Sequence, residues 1–352
     1  MTAAAVSDTI PGYDTPAVEA WIAANVDGLS PPLIWTRLEG GHSNLTYLLE
    51  DGQGRHAVIR RPPLGELLPK AHDMAREWAL IRALGPTPVP VPAALGFCDD
   101  ISVTGARFYV MGHVDGHPLY NAADTERWAP PPVRTRLAHS FIDVLADLHA
   151  VDPDAVGLGD LGKRDSYVGR QLSTWYRSWT ASVGPAEYDD PRAHALQRLL
   201  LDHLPDQGPI RIVHGDYGPH NCLIGPDGTV AAVVDWEIST LGDPLADLAY
   251  ALNPWPDPSD PAPNPDAATS PPGFPSRSEL ASRYAARTGR DLSHLDYYVG
   301  FNFWKSAAIV HGVYARYMEG KKGTEGVDLE ALRRRIDGSL TAAERALGRL
   351  KL

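Results

Sequence analysis

The sequence predicts an α+β protein with two lobes, a small β-rich lobe at residues 1–112 and a larger, mainly helical lobe at residues 113–352. Two features predict this division. Short apolar runs separated by glycine-bearing turns dominate the first third of the chain, whereas apolar residues at helical spacing dominate the remainder. With 352 residues, the chain is long enough for both lobes to bury a hydrophobic core.

The first lobe is expected to contain four strands and one helix. The strands are predicted at residues 33–38, 45–49, 56–61 and 107–111, with an Asp51-Gly52 turn between the second and the third. A helix is predicted from about residue 71 to residue 84, because the prolines at 86–92 would end it. Glycines stand at both ends of residues 112–116, which are expected to form a hinge.

The second lobe is expected to be built mainly from helices. They are predicted near residues 133–149, 167–182, 192–203, 278–288, 295–318 and 329–350. Residues 254–275 contain nine prolines, and this density predicts a loop that could cover the site. A small β-lobe, a hinge and a large helical lobe together form the layout of a protein-kinase-like fold.

Composition and charge exclude several classes of protein. The net charge of −12 argues against a nucleic-acid binder and against an anionic membrane surface as a partner. No apolar run approaches the ~20 residues that a membrane helix needs, and the N-terminus lacks the pattern of a secretion signal. Only two cysteines occur, Cys98 and Cys222, so a disulfide framework and a zinc site are not expected. We therefore expect a cytoplasmic protein.

One compound motif carries chemistry. Residues 214–221 read H-G-D-Y-G-P-H-N, and residues 233–237 read V-V-D-W-E. Asp216 can accept the proton of a substrate hydroxyl, while Asn221 and Asp235 can hold magnesium against nucleotide phosphates. Each of the three residues alone is more typical of a turn or a strand end. Their combination and spacing favour a phosphoryl-transfer site.

A predicted hairpin gives this spacing a geometric meaning. Asp227-Gly228 lies between two apolar runs, which indicates a type I′ turn centred on those residues. That register places Asn221 opposite Val234, one residue from Asp235. The amide oxygen and the carboxylate are then at one end of the same ribbon, where magnesium could find hard oxygen ligands.

A phosphate-binding turn is predicted between the first two strands. Gly40, Gly41, Ser43 and Asn44 stand where backbone N–H groups could approach an anion. The full G-x-G-x-x-G pattern is absent, so a tight turn without a ligand is the alternative.

The third strand supplies a cation for the same region. It reads A-V-I-R and ends at Arg60, with Glu77 on the following helix as the expected ion-pair partner. Neighbouring strand residues face opposite ways, and the register favours Arg60 over Arg61 as the inward residue. Kinases carry a lysine here, and arginine binds phosphate with a different geometry. The alternative is a surface strand with two solvated arginines.

Three other polar residues are interpreted as structural. Asp243 precedes Pro244 in the pattern of a helix N-cap followed by proline at the first helical position. Asp247 is expected to support the large lobe, and His149 is expected to be a packed or capping histidine at the end of its helix.

With these residues in view, the sequence resembles the aminoglycoside/choline kinase-like phosphotransferase family over residues 33–318. Residues 40–47, 58–77 and 234–250 are similar to one branch, the kinase-like domains found ahead of some animal acyl-CoA dehydrogenases and their stand-alone bacterial relatives. The resemblance implies ATP and Mg²⁺ as cofactors, Asp216 as the catalytic base, and Asn221 and Asp235 as metal ligands. It also implies that Arg60, paired with Glu77, contacts the nucleotide phosphates, and that adenine lies near Met111 and His113.

The branch also implies a substrate and a partner. It is associated with phosphorylating hydroxyacyl-CoA thioesters, which prepares the hydroxyl as a leaving group, so an acyl-CoA dehydrogenase is an expected functional partner. An aminoglycoside or amino-alcohol kinase is one alternative, and a catalytically silent pseudokinase is another. Basic residues around the acceptor would favour a CoA phosphate, and the candidates are Arg170, Arg177, Lys305, Arg316, Lys321 and Lys322.

Overall fold

The first lobe is a five-stranded antiparallel sheet with a helix on each face. The computed structural model describes residues 10–38, 44–65, 73–257, 264–320 and 327–350. Helix α1 (Thr15–Asn25) precedes the sheet, and α2 (Met74–Leu84) lies between its third and fourth strands. The strands, in sheet order β1-β2-β3-β5-β4, are β1 (Leu33–Arg37), β2 (Leu45–Asp51), β3 (His56–Arg61), β4 (Ala94–Cys98) and β5 (Phe108–Gly112).

Side chains alternate between the two faces of this sheet, as strand geometry requires. Ile59 and Val110 face α1, where Val18 and Ile22 are fully buried against them. Val58, Tyr109 and Met111 face the other way, against the α2 side. The alternation decides which of two adjacent arginines on β3 faces the interior between the lobes.

Two elements of this lobe, α1 and β4, were not predicted. Asp14 caps α1 by accepting a hydrogen bond from the Ala17 N–H, and Pro16 lies in the first turn. β4 is short and contains Gly96, where an added Cβ would meet the Trp21 ring at 3.1 Å. The predicted lobe boundary at residues 112 and 113 stays a prediction, although the sheet ends at Gly112.

The second lobe is mainly helical. Its helices are α3 (Ala122–Trp128), α4 (Pro131–Ala150), α5 (Tyr167–Ala186), α6 (Pro191–Asp202), α7 (Pro244–Leu252), α8 (Arg277–Thr288), α9 (Leu295–Met318) and α10 (Leu329–Leu347). One core forms around α4, α8 and the short strands, and a second forms among α5, α6, α9 and α10. No described helix is long and apolar enough to cross a bilayer.

Four short strands carry the predicted motif. β6 (Arg211–Val213) pairs with β9 (Thr240–Gly242), and β7 (Cys222–Ile224) pairs with β8 (Val230–Val233). The last two form the predicted hairpin, but the predicted turn type is wrong. The Gly228 N–H bonds to the Gly225 carbonyl, and of Asp227 and Gly228 only the glycine has positive φ. A bulge beside Ile224 absorbs the difference, so the Val234 N–H still meets the Asn221 carbonyl at 2.9 Å.

The described flanks of the proline-rich segment are held against the helices of the second lobe. The Thr125 hydroxyl donates to the Ala268 carbonyl, and Arg134 donates to the Pro272 carbonyl. Ala268 and Thr269 are buried. These flanks are therefore packed parts of the lobe on the side of α3 and α4.

Candidate active site

A buried aspartate fixes the loop that follows β6. Asp247, in the first turn of α7, accepts hydrogen bonds from the backbone N–H groups of His214 (2.8 Å) and Gly215 (2.9 Å). His149 Nε2 lies 3.2 Å from the same carboxylate, and its Nδ1 lies 2.7 Å from the Tyr284 hydroxyl. Burial alone would raise the pKa of Asp247, but the hydrogen bonds from His149 and the loop keep it below its usual value. The structural interpretation of both residues fits this geometry.

The loop presents Asp216 as a half-buried, hydrogen-bonded carboxylate. The Tyr250 hydroxyl donates to Oδ1, and the Asn221 side-chain amide donates to Oδ2 at 3.2 Å and to the Asp216 carbonyl at 3.0 Å. His220 Nε2 lies 3.4 Å from Oδ2. Burial would raise the pKa of Asp216, but His220 and Tyr250 outweigh it and hold the pKa below its usual range. The carboxylate is therefore ionised near neutral pH and can accept a proton.

The histidine beside Asp216 occupies space that a glycine leaves. An added Cβ at Gly218 would lie 2.4 Å from His220 Cε1. A side chain at position 218 would therefore displace the imidazole from its place in the loop that follows β6. Because Gly218 leaves this space, His220 can lie beside Asp216.

Asn221 and Asp235 lie at the same end of the β7–β8 ribbon. Asn221 ends a 3-10 turn (Pro219–Asn221), and its amide nitrogen is engaged by Asp216, which leaves the amide oxygen as a ligand atom. Asp235 adopts a left-handed conformation with φ +64°, which is costly for a residue other than glycine. The Asn221 amide oxygen and the Asp235 carboxylate together form an oxygen donor set that fits a hard divalent cation.

Arg60 joins the first lobe to this end of the ribbon. Its Nη2 lies 2.7 Å from Asp235 Oδ1, and its Nε lies 3.1 Å from Glu77 Oε2. Glu77 is buried and accepts a hydrogen bond from the Tyr109 hydroxyl at 3.0 Å. Burial raises the pKa of Glu77 to about 7, although the Arg60 charge opposes this. The predicted partners Arg60 and Glu77 thus meet, together with the predicted metal ligand Asp235.

Arg61 faces the other side of the sheet and is not solvated. It is 5% exposed, donates to the Thr104 carbonyl at 2.8 Å and to the Gly12 carbonyl, and lies over the Tyr13 ring. The alternative of two solvated arginines on a surface strand is therefore wrong for both residues.

Sequence reasoning missed two residues at the site, Glu237 and Tyr250. Carboxylate oxygens of Glu77, Asp235 and Glu237 lie within 4.8 Å of one another, so the three could hold a cation. Glu237 also accepts a hydrogen bond from the Asn44 side chain at 3.4 Å. Tyr250 lies three residues after Asp247 on α7, and this helical spacing was a signal that both face the same loop.

The structure describes only some of the remaining predicted site residues. Gly40, Gly41 and Ser43 lie outside the described residues, whereas Asn44 is buried beside Glu237. Met111 is on β5, buried at 9% exposure, and His113 follows that strand with its ring 5.4 Å from the His56 ring. Burial lowers the pKa of His113, and His56 lowers it further.

Comparison with known sequences indicates a family. The model described as the phosphotransferase enzyme family matches residues 34–280. Acyl-CoA dehydrogenase family member 11 from Gallus gallus is 38% identical over 297 residues, which cover 81% of this chain and 37% of that protein. The chain thus spans about two fifths of the length of that relative. Viomycin phosphotransferase from Streptomyces vinaceus is 27% identical, with 61% of this chain and 75% of that protein covered.

Comparison with solved structures confirms the protein-kinase-like fold. A Ralstonia eutropha protein, provisionally assigned as an aminoglycoside phosphotransferase, superposes with a TM-score of 0.81 at 30% identity, covering 97% of this chain and 100% of that one. The aminoglycoside phosphotransferase APH(4)-Ia, in a ternary complex with AMP-PNP and hygromycin B, shares the fold with a TM-score of 0.58 at 16% identity, covering 93% and 98% of the two chains. The family match over residues 34–280 shows that the chain belongs to the phosphotransferase enzyme family.

Proposed function

We propose that this chain transfers the γ-phosphoryl group of ATP, in a magnesium-dependent reaction, to the hydroxyl of a hydroxyacyl-CoA thioester. The observation that carries the proposal is the environment of Asp216. Its ionised carboxylate is oriented by Tyr250 and Asn221, next to a ribbon end that bears Asp235 and contacts Arg60. A base, hard oxygen ligands and a cation in one place are the parts that phosphoryl transfer needs.

Asp216 would orient the acceptor hydroxyl and accept its proton. The acceptor oxygen forms a bond to the γ-phosphorus while the bond between that phosphorus and the β,γ-bridging oxygen breaks, and ADP leaves. The Tyr250 hydroxyl and the Asn221 amide fix the carboxylate for this role. Such positioning supplies a large part of the acceleration, because little covalent chemistry is asked of the protein.

Asn221 and Asp235 would hold the Mg²⁺, which neutralises negative charge on the phosphates when bound. Arg60 would contact phosphate oxygens, with Glu77 holding its guanidinium in place. The turn at Gly40, Gly41, Ser43 and Asn44, and the segment at Met111 and His113, would complete the nucleotide site.

Relatives support the acyl-CoA part of the proposal. The match to acyl-CoA dehydrogenase family member 11 covers 81% of this chain, and acyl-CoA dehydrogenase family member 10 from Mus musculus is 34% identical over 82% of it. Phosphorylation would turn the hydroxyl into a leaving group, and its loss would give an unsaturated thioester suited to acyl-CoA enzymes. A cytoplasmic location and an acyl-CoA dehydrogenase as functional partner belong to the same proposal.

The test is ADP release from magnesium-ATP in the presence of a panel of acceptors, with mass spectrometry of the products. The panel contains 3- and 4-hydroxyacyl-CoA thioesters, the free hydroxy acids, choline and kanamycin. We expect a phosphorylated acyl-CoA product. In Asp216→Asn we expect kcat to fall by about 10²- to 10⁴-fold, the usual worth of general acid–base catalysis.

Asp206→Asn is the matched control, since it makes the same change at an exposed position between α6 and β6. Phosphorylated kanamycin or choline would keep the mechanism and reject the acyl-CoA acceptor. Full turnover in Asp216→Asn would remove this residue from the role of base. Nucleotide binding without turnover of any acceptor would favour the pseudokinase alternative.

A further inference from the structure

One face of α9 packs along α7 toward the loop that carries Asp216. The Tyr298 hydroxyl donates to the Asp243 carboxylate at 2.7 Å, and the Asn302 amide donates to the Ala246 carbonyl at 2.8 Å. Contacts therefore advance along both helices in the same direction. Lys305 lies three positions after Asn302 and therefore on the same side of α9, and the next turn of α7 holds Tyr250.

This progression brings the Lys305 side chain to the level of Asp216, because the Tyr250 hydroxyl donates to Asp216 Oδ1. Lys305 is half-buried, and it forms no hydrogen bond or ion pair with any described residue. Burial lowers the pKa of Lys305, while the charges of Asp247 and Asp216 oppose that effect. The ammonium group thus interacts electrostatically with Asp216 and Asp247. Its three N–H donors stay available for a ligand.

The other described cations that the sequence suggested do not share this position. Arg170 contacts Asp165 at 3.4 Å and donates to the Lys163 carbonyl at 3.0 Å. Arg177 and Arg316 are exposed on their helices. Lys321 and Lys322 lie outside the described residues. Lys305 is therefore the candidate that the geometry places beside the base.

We propose that the Lys305 ammonium group donates a hydrogen bond to the thioester carbonyl oxygen of the acceptor whose hydroxyl lies on Asp216. This inference rests on the proposed function and names the chemical group that the acceptor site recognises. The partner of Lys305 has to lie within a few bonds of the hydroxyl, because Lys305 lies at the level of Asp216. The CoA phosphates do not meet this condition, since the whole pantetheine arm separates them from the thioester. A cation at this place also disfavours amino-alcohol acceptors.

The experiment compares each hydroxyacyl-CoA with a thioether analogue that keeps the hydroxyl and the CoA but lacks the carbonyl oxygen. The probes are 3-hydroxybutanoyl-CoA, 4-hydroxypentanoyl-CoA and their thioethers. We expect the wild-type kcat/KM to favour the better thioester over its thioether by about ten- to a hundredfold, the usual worth of a hydrogen bond to a charged group. In Lys305→Met this ratio should fall to near one, and Lys305→Arg should restore part of it.

Arg177→Met is the matched control and should keep the wild-type ratio, since Arg177 is exposed on α5. A Lys305→Met variant that loses activity equally with the thioester and the thioether would overturn the inference. That result would mean that Lys305 contacts the transferred phosphoryl group or supports the fold. Thermal unfolding of each variant separates the two explanations.

Equilibrium binding keeps this inference distinct from the proposed function. The affinities of the thioester and the thioether are measured by calorimetry with magnesium and AMP-PNP present, so no turnover is needed. A Lys305-dependent preference for the thioester without any phosphorylation would sustain the inference and reject the proposed function. Equal affinities, or no binding of either compound, would overturn the inference.

Discussion

At the scale of single residues, the site is organised around the two oxygens of Asp216. Tyr250 donates to Oδ1, and Asn221 donates to Oδ2. A carboxylate that accepts two side-chain donors loses rotational freedom, so its remaining lone pairs point toward one region. Asn221 therefore contributes twice in the proposed mechanism, through its amide nitrogen to the base and through its amide oxygen to the cation.

Tyr250→Phe tests whether this orientation matters for turnover. The change removes the donor to Oδ1 and keeps the aromatic ring on α7. We expect kcat to fall by about ten- to a hundredfold, because a hydrogen bond to a charged group is worth on the order of 1.5–3 kcal/mol. The matched control is Tyr176→Phe, which removes a hydroxyl that lies 3.0 Å from His194 Nδ1 on another helix. Wild-type kcat in Tyr250→Phe would show that Asp216 is oriented without it.

Arg60 illustrates why the sequence could suggest a role but not its geometry. The strand register indicated that Arg60 faces inward, and it does so. Strand register alone could not indicate that one guanidinium would contact both Glu77 and Asp235. A lysine offers one compact ammonium group, whereas the planar guanidinium presents donors on two edges. The arginine at this position can therefore join the helix glutamate and the predicted metal ligand directly.

At the scale of elements, periodicity predicted the long helices well. Helix α9 begins and ends at the predicted residues, and α4, α5, α6 and α8 differ by a few residues at their ends. The β4 strand was missed because a glycine at its centre interrupts the apolar run, and α1 was missed because its apolar residues are spread around the helix and do not mark one face. The turn of the β7–β8 hairpin was assigned the wrong type, since Pro226 and a bulge allow an alternative to the type I′ geometry.

The three central residues of the candidate site could be proposed from the sequence because they lie close together along the chain. Asp216, Asn221 and Asp235 are close in sequence, so a loop and a hairpin are enough to bring them together. Glu237 lies only two residues after Asp235, but its approach to Glu77 depends on how the two lobes meet. Contacts of that kind depend on tertiary packing, which a single sequence does not specify.

The packing of α9 against α10 makes a testable contact between two helices. An added Cβ at Gly300 would lie 2.6 Å from Leu347 Cγ, which is closer than two carbons can approach. We expect Gly300→Ala to destabilise the fold by about 1–3 kcal/mol through overpacking. Leu347→Ala alone should cost on the order of 2–5 kcal/mol by leaving a cavity.

The double variant Gly300→Ala, Leu347→Ala separates this contact from general effects on helix stability. The alanine at 347 removes the atom that clashes. The double variant should therefore lose less free energy of unfolding than the sum of the losses in the two single variants. Urea titration of the four proteins gives the coupling free energy. Additive costs would show that Gly300 is needed for a reason other than contact with Leu347.

At the scale of the whole molecule, the two lobes meet at residues 235–239. Arg60 contacts Asp235, Asn44 contacts Glu237, and the Arg76 guanidinium donates to the Ser239 carbonyl at 3.1 Å through Nε. All three contacts join polar groups of the first lobe to one segment that follows the β7–β8 hairpin. A nucleotide bound beside Asp235 would therefore contact both lobes, and its binding should be sensitive to how they are placed.

The His149–Asp247 pair ties the stability of the whole fold to pH. His149 is buried in a neutral form that is fully hydrogen-bonded: Nε2–H donates to Asp247, and Nδ1 accepts from the Tyr284 hydroxyl. Burial lowers the pKa of His149 in the folded protein, and the hydrogen bond to Asp247 opposes this shift without cancelling it. The folded state therefore resists a proton that the unfolded chain accepts with a pKa of about 6.5.

Because the pKa of His149 is lower in the folded protein, His149 contributes to stability above the unfolded-state pKa. This contribution is lost as the pH falls from there through the folded-state pKa. We expect the free energy of unfolding to fall between about pH 7.5 and pH 5.5, with His149 contributing at most about 1.4 kcal/mol per pH unit. His149→Gln can still donate to Asp247 but does not titrate, so its slope should be smaller, although it is less stable at neutral pH. His203→Gln, at an exposed histidine after α6, should keep the wild-type slope. An unchanged slope in His149→Gln, measured by urea unfolding across this range, would mean that the buried histidine does not set the acid sensitivity of the fold.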